Sequence, residues 1–290
     1  MNKKSFKKKA SDYWMLTKSL QTILLVVTGV AGFISTKCPW LDLSTTLSIA
    51  GSLFLAVSGT TVLNMYVDRD IDALMERTCR RPLPDGRIEP RKALIFGLIL
   101  SVLGIGWALS MNVLYGVIVF GGFFFDFVVY SIWLKRKTEW AIVLGGISGA
   151  MPVLAGRVLG EGRIEIVGIA LALAVLFWIP THILTFTIRR ADDYKRANIP
   201  TFPARYGNRA TQLIIAFSSM VAICAILIAS YWIGLDIGLM RITIVLSVAL
   251  FSLTFSCFMK PNNKSNFWLY KFASLYMLVV MIIFATNSFF

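Results

Sequence analysis

The sequence predicts an all-α, polytopic membrane protein built as a bundle of nine transmembrane helices. Three observations predict it. Hydrophobic residues make up 57% of the 290 and charged residues only 15%, where a soluble domain carries about 25% charged residues. The apolar residues collect into nine stretches near the ~20 residues that cross a bilayer as a helix. Lysine and arginine crowd into every second connection between those stretches.

The first helix is expected over 13–35, after a basic start with Lys3, Lys4, Lys7, Lys8 and Lys9. A basic start before an apolar run resembles an export signal. This run lacks a clear small-residue cleavage site and continues to membrane length, so an uncleaved helix is expected. Further helices are expected over 45–66, 93–110, 114–134, 140–159, 164–187, 211–233, 237–258 and 267–289. The third and fifth are short and rich in glycine. With the N-terminus placed inside, 24 of the 29 bases fall on the inner side, and only Lys37, Arg157, Arg163 and Arg241 lie outside. The positive-inside rule then puts the N-terminus in the cytoplasm and the C-terminus outside, in a cell (inner or plasma) membrane. The outer connections are short, so one membrane domain over 1–290 is expected.

This topology accounts for the net charge of +14, and no nucleic-acid partner is expected. The cysteines, Cys38, Cys79, Cys224 and Cys257, form no Cys-x-x-Cys pair, so neither a disulfide framework nor a zinc site is expected. His182 is the one histidine. A multi-histidine metal or haem ligand set within this chain is thereby excluded.

Where the second apolar run ends, the chain reads Asn64, Asp68, Asp70 and Asp72. Residues four apart share a helix face. Asn64, Asp68 and Asp72 therefore make one acidic ridge, while Asp70 points away. Like charges at that spacing repel unless a cation or a basic partner sits on them. Oxygen donors suit Mg²⁺, usually held by a few carboxylates and substrate phosphates. A calcium loop also opens with Asp-x-Asp-x-Asp, but it needs Gly sixth and Glu twelfth; here Ala73 and Cys79 stand there. A solvated helix end is the other reading. Against it, Arg77, Arg80, Arg81, Arg87 and Arg91 follow within one short segment. Carboxylates beside guanidinium groups suit a metal–diphosphate site.

A second acidic pair, Asp192 and Asp193, follows the sixth helix. By the topology it shares the membrane face of the first ridge. Four helices separate the two, which suggests two four-helix halves plus one helix, each half bringing carboxylates to one cytoplasmic mouth. The alternative is that the pair caps the next segment or binds Arg189 and Arg196. Lys135 and Arg136, ending the fourth helix on the same face, are candidates for the diphosphate. Tyr130 is a candidate to stabilise a developing carbocation through its ring face. Lys18 is a charge within the first helix, costly unless paired; it either snorkels or reaches the diphosphate. His182, two residues after Pro180, is read as a structural hydrogen-bonding group or as a wall of the acceptor pocket.

Together these residues resemble the UbiA superfamily of intramembrane prenyltransferases. Asn64, Asp68 and Asp72 match its first aspartate-rich motif. Further matching pieces are Leu16 to Lys18, Met75 to Thr78, Arg81 to Leu83, Tyr130 to Thr138, Gly145 to Gly149, Pro180 to His182, Asp192 to Tyr194 and Ile199 to Pro200. They are similar to the subgroup that farnesylates protohaem IX. The resemblance implies a UbiA-type bundle, Mg²⁺ held by Asn64, Asp68, Asp72, Asp192 and Asp193, and Lys18, Arg77, Lys135 and Arg136 on an isoprenyl diphosphate. It implies prenyl transfer to a lipophilic acceptor, with haem B becoming haem O. His182 is then a wall of the acceptor pocket or an axial ligand to haem iron. The chain departs from the subgroup at Ser19, Arg157, Thr181 and Thr201, so an aromatic quinone precursor or a glycerolipid stays open as acceptor. A transporter is the rival of another class; its broken midplane helices would carry charge at mid-membrane.

Overall fold

In a computed structural model, which describes residues 3–36 and 42–287, the chain is helical, and no strand occurs among the described residues. The elements are α1 (Lys3–Leu16), α2 (Ser19–Ile34), α3 (Leu43–Val67), α4 (Arg69–Leu74), α5 (Pro90–Met111), α6 (Val113–Phe123) continued by a π segment (Phe124–Leu134), α7 (Ala141–Glu161), α8 (Ile166–Arg189), α9 (Ala191–Arg196), α10 (Phe202–Ile233), α11 (Ile237–Met259) and α12 (Asn263–Thr286). Among the described residues, eight helices are long and apolar enough to span a bilayer, and α1 with α2 makes a ninth when the bent pair is taken as one span. The chain is a multi-pass membrane protein. Lys37 and Cys38 lie outside the described residues; Cys79, Cys224 and Cys257 are unpaired.

The ends of the spans follow local chemistry. Asp42, Asn112, Glu165, Asp236 and Asn262 cap α3, α6, α8, α11 and α12 by accepting first-turn N–H groups. Packing inside the bundle rests on small residues, which let backbones approach without a hydrophobic drive between helices. A Cβ on Gly156 of α7 would stand 1.9 Å from the Gly29 carbonyl oxygen of α2, and one on Gly104 of α5 would stand 2.2 Å from the Ala56 nitrogen of α3. Two cores result. One gathers Phe33, Ile49, Leu53, Tyr115 and Ile118; the other gathers Leu171, Leu184, Phe202, Tyr276 and Phe284. Helix α7 contributes to both, and α2 packs on α7 and on α12, joining the halves.

Three spans depart from the uniform helices the sequence suggests. The first is broken: Lys18 takes left-handed φ 44° and ψ 52°, and the axis turns by 53°. Hydroxyls take up the carbonyls that the break releases. Thr17 Oγ1 donates to Trp14 O at 2.8 Å and Thr22 Oγ1 to Thr17 O at 2.7 Å. Asp12, buried on α1, pairs with Arg87, so α1 is tied to the connection after α4 rather than to the line of α2. The fourth span widens into the π segment, as the bond from Lys135 N to Tyr130 O at 2.8 Å shows. The seventh starts at Phe202, nine residues before the expected 211, with a kink at Gly207, where φ is 79° and ψ is 167°.

Candidate active site

Helix α3 carries Asn64 and ends at Asp68. Helical hydrogen bonds continue across the junction, from Asp68 N to Asn64 O (2.9 Å) and from Asp72 N to Asp68 O (2.8 Å). Asn64, Asp68 and Asp72 therefore keep the common face expected of them. Asp68 and Asp72 are 6% and 5% exposed, whereas Asp70 lies in solvent. Each carboxylate has a basic partner. Lys135 pairs with Asp68, and Arg81 with Asp72 at 2.7 Å. Thr78 Oγ1 donates to Asp72 O at 2.8 Å and holds the turn below it.

The second acidic pair splits. Asp192 is exposed and Asp193 buried. Asp193 Oδ1 accepts the backbone N–H of Glu76 at 3.2 Å. Ile71 and Met75 from the α4 side meet Ala197 and Ile199 from the α9 side in one apolar cluster, with Tyr194 against it. The two acidic stretches, separated by more than a hundred residues, thus meet at one mouth.

The basic candidates divide likewise. Lys18, lifted out of helix by its left-handed backbone, stands among Asp68, Asp72, Arg81 and Lys135. Arg77 places its guanidinium 5.2 Å over the Phe186 ring. Burial and the neighbouring Arg81 pull Arg77 below the ordinary guanidinium range, although Tyr194, Asp72 and Asp193 oppose this. Cations that disfavour one another's charge mark a place suited to an anion. Arg136 turns outward: its guanidinium grips Asp70 at 2.7 and 2.6 Å and the Val67 carbonyl at 2.8 Å. Tyr130 lies with its ring 5.5 Å from the Lys135 ammonium. His182 stands away from the carboxylates, between α8 and α12. Its ring stacks on Trp178 (5.0 Å) and Tyr270 (4.7 Å), with Nδ1 3.0 Å from Ser274 Oγ. Phe186, 5.9 Å from Tyr270, continues these rings towards Arg77.

Sequence reasoning passed over Asp126, and took Ser131 only as part of a matching stretch with no role in the site. Asn64 Nδ2 donates to Asp126 Oδ2 at 2.8 Å, and Ser131 Oγ donates to Asn64 Oδ1 at 2.9 Å. The signal was present: Asp126 is a lone acid within a phenylalanine-rich span, and ionisable groups at that depth mark pathways and sites. Asp126 also lines an apolar cavity of about 50 Å³ with Leu25, Leu53, Thr60, Phe123 and Met151. A larger cavity of about 490 Å³ lies at the opposite face around Arg157, Glu161 and Glu165. There Arg157 is satisfied by Glu165 (2.9 Å), Ser35 O (2.6 Å) and Glu161 (3.1 Å), and none of the motif residues lines it.

The donors at the mouth fit a hard cation. Asp68 Oδ1 is buried without a hydrogen-bond partner. Among the described residues no three His, Cys, Asp or Glu side chains stand close enough to cage a metal by themselves. Mg²⁺ does not need such a cage, because it commonly takes one or two carboxylates and fills its sphere with water and substrate phosphate.

The profile of the UbiA prenyltransferase family matches residues 25–280. A protoheme IX farnesyltransferase of Archaeoglobus fulgidus is 38% identical over 90% of this chain and 92% of its own. One of Desulforudis audaxviator is 35% identical over 96% and 88%. Among solved structures, one from work on digeranylgeranylglyceryl phosphate synthase in membranes has a TM-score of 0.81 at 20% identity, covering 97% of this chain and 99% of that one. A UbiA homologue from Archaeoglobus fulgidus, bound to GPP and Mg²⁺, has a TM-score of 0.70 at 16% identity, covering 94% and 99%. The structures share the fold, and the sequences share the family: this chain belongs to the UbiA prenyltransferase family and is a prenyltransferase.

Proposed function

We propose that the enzyme transfers a farnesyl group from farnesyl diphosphate to haem B, giving haem O, in a Mg²⁺-dependent reaction. The observation that carries this reading is the hydrogen bond from Glu76 N–H to Asp193 Oδ1, which joins both acidic stretches at one mouth. The farnesyl donor and the haem acceptor are supported by the names of relatives that are 34–39% identical. The metal is supported by the unpartnered Asp68 Oδ1 and by the homologue solved with Mg²⁺. The charge asymmetry supports a cell membrane with the N-terminus and this mouth on the cytoplasmic side.

Asn64, Asp68, Asp72 and Asp193, with Asp192 at the rim, would hold the metal. When bound, it neutralises the diphosphate and stabilises it as a leaving group. Lys18, Arg77, Arg81 and Lys135 would take the phosphate oxygens. Pre-placed cations act where charge develops. Arg136 supports the mouth from outside through Asp70 and the Val67 carbonyl. Tyr130 would turn its ring face to the allylic carbocation left as the C–O bond breaks. The apolar wall below Asp126 keeps water from that cation. A haem vinyl group then forms the new C–C bond, and water supplies the hydroxyl while one proton leaves. Trp178, His182 and Tyr270 offer flat rings to a flat acceptor.

The test uses purified enzyme in nanodiscs with farnesyl diphosphate, haem B and Mg²⁺, and mass detection of haem O. Asp68→Asn and Asp72→Asn are each expected to lose at least ~100-fold, and a chelator is expected to abolish turnover. Full activity in folded variants would sink the metal–diphosphate reading. Prenylation of a quinone precursor or a glycerolipid in place of haem would replace the acceptor.

A further inference from the structure

We infer that Asp126 is a positioning residue that fixes which end of the Asn64 amide faces the site, and so makes Asn64 Oδ1 the atom presented to the cation. The inference rests on the metal–diphosphate reading above and concerns a residue outside both acidic stretches.

Two hydrogen bonds clamp the Asn64 side chain, and they differ in kind. Ser131 Oγ lies 2.9 Å from Asn64 Oδ1 and Asp126 Oδ2 lies 2.8 Å from Asn64 Nδ2. A serine hydroxyl can donate or accept, so Ser131 accommodates either orientation of the amide. Asp126 Oδ2 accepts the amide N–H, so this contact holds Nδ2 towards Asp126 and Oδ1 away from it. A side-chain carbonyl has two acceptor sites. Ser131 uses one, which leaves the other for a cation. The reversed amide would offer N–H groups instead, which cannot ligate a metal.

The backbone explains how one helix supplies these groups together. At 3.6 residues per turn, residues nine apart lie on opposite faces. In the π segment the hydrogen bonds reach back five residues, and roughly 4.4 residues complete a turn. Asp126, Ser131 and Lys135 then fall along one face. The structure agrees: Asp126 and Ser131 reach Asn64, and Lys135 reaches Asp68, one turn further along the same ridge.

The test is Mn²⁺ binding, read by electron paramagnetic resonance on the full-length enzyme in detergent with a non-hydrolysable farnesyl diphosphate analogue. Asp126→Ala is expected to weaken Mn²⁺ binding about tenfold or more, the usual effect of losing a group that orients a ligand. The swap Asn64→Asp with Asp126→Asn keeps one carboxylate and one amide and reverses the hydrogen bond. A carboxylate presents oxygen whichever way it turns, so the swap is expected to recover binding to within about threefold of wild type. Unchanged binding in Asp126→Ala overturns the inference. So does a swap as weak as Asp126→Ala, because the carboxylate is then needed at 126 itself. Wild-type enzyme that binds no Mn²⁺ with the analogue overturns the metal reading instead.

Discussion

Replacing Lys135 by methionine tests whether the mouth is held together by charge. The Asp68 side chain is 8% exposed and that of Lys135 17%. Asp68 Oδ1 already lacks a partner, so removing the ammonium strands the whole carboxylate. Breaking a buried pair from one side costs about 3–5 kcal/mol. Lys18 stands near enough to offset part of that, which points to the lower end, about 3 kcal/mol. At roughly 2–4 °C per kcal/mol, Lys135→Met should melt about 6–12 °C below wild type. Removing both charges, in Asp68→Asn with Lys135→Met, leaves no stranded ion, so most of the loss should be recovered. The assay is intrinsic-fluorescence melting in detergent without divalent cations. Added Mg²⁺ should raise the single variant more than wild type, since the ion takes the place of the missing ammonium. A single variant that melts with wild type, or a double variant no better than the single, would refute the electrostatic account.

Other predictions follow from the same contacts. Gly156→Ala must push its Cβ away from the Gly29 carbonyl, 1.9 Å from it; a loss of about 3 kcal/mol or more is expected, read as a lower melting temperature with less folded protein on size exclusion. His182→Phe keeps a ring between Trp178 and Tyr270 but loses the bond to Ser274. If those rings meet the acceptor, its KM should change while that of farnesyl diphosphate does not. Asp70 is held below the usual carboxylate range chiefly by its hydrogen bond from Arg136, with burial opposing. A carboxyl lowered on folding stabilises above its unfolded value and loses that as pH falls through the folded one. The melting difference between wild type and Asp70→Asn should therefore be full at neutral pH and shrink below about pH 4.

Much of the architecture was legible because a bilayer demands long apolar runs and tolerates few charges between them. The acidic ridge was legible for the same reason, since carboxylates at the end of such a run need a cause. The break at Lys18 was not. No Pro or Gly stands beside it, and the tie that holds α1 in its own direction, Asp12 to Arg87, is tertiary. The early start of α10 was hidden by Arg205, Asn208 and Arg209, which depress hydropathy while the chain is already helical. Lys135 and Arg136 read alike as neighbours in sequence, yet the turn separates them, one to Asp68 and the other to Asp70. Asp126 was visible as a lone charge, but its partner Asn64 lies 62 residues away, and no local pattern connects the two. The π register has no sequence mark that separates it from an ordinary apolar helix.

That register makes the fourth span sensitive to length rather than to composition. Deleting one apolar residue between Asp126 and Lys135 would leave a segment still long enough to cross the bilayer, and still as greasy. The chain beyond the deletion would be rephased by about a quarter turn, carrying Lys135 off the ridge while Asp126 stayed in place. Hydropathy would register almost no change, and the mouth would lose its central ammonium.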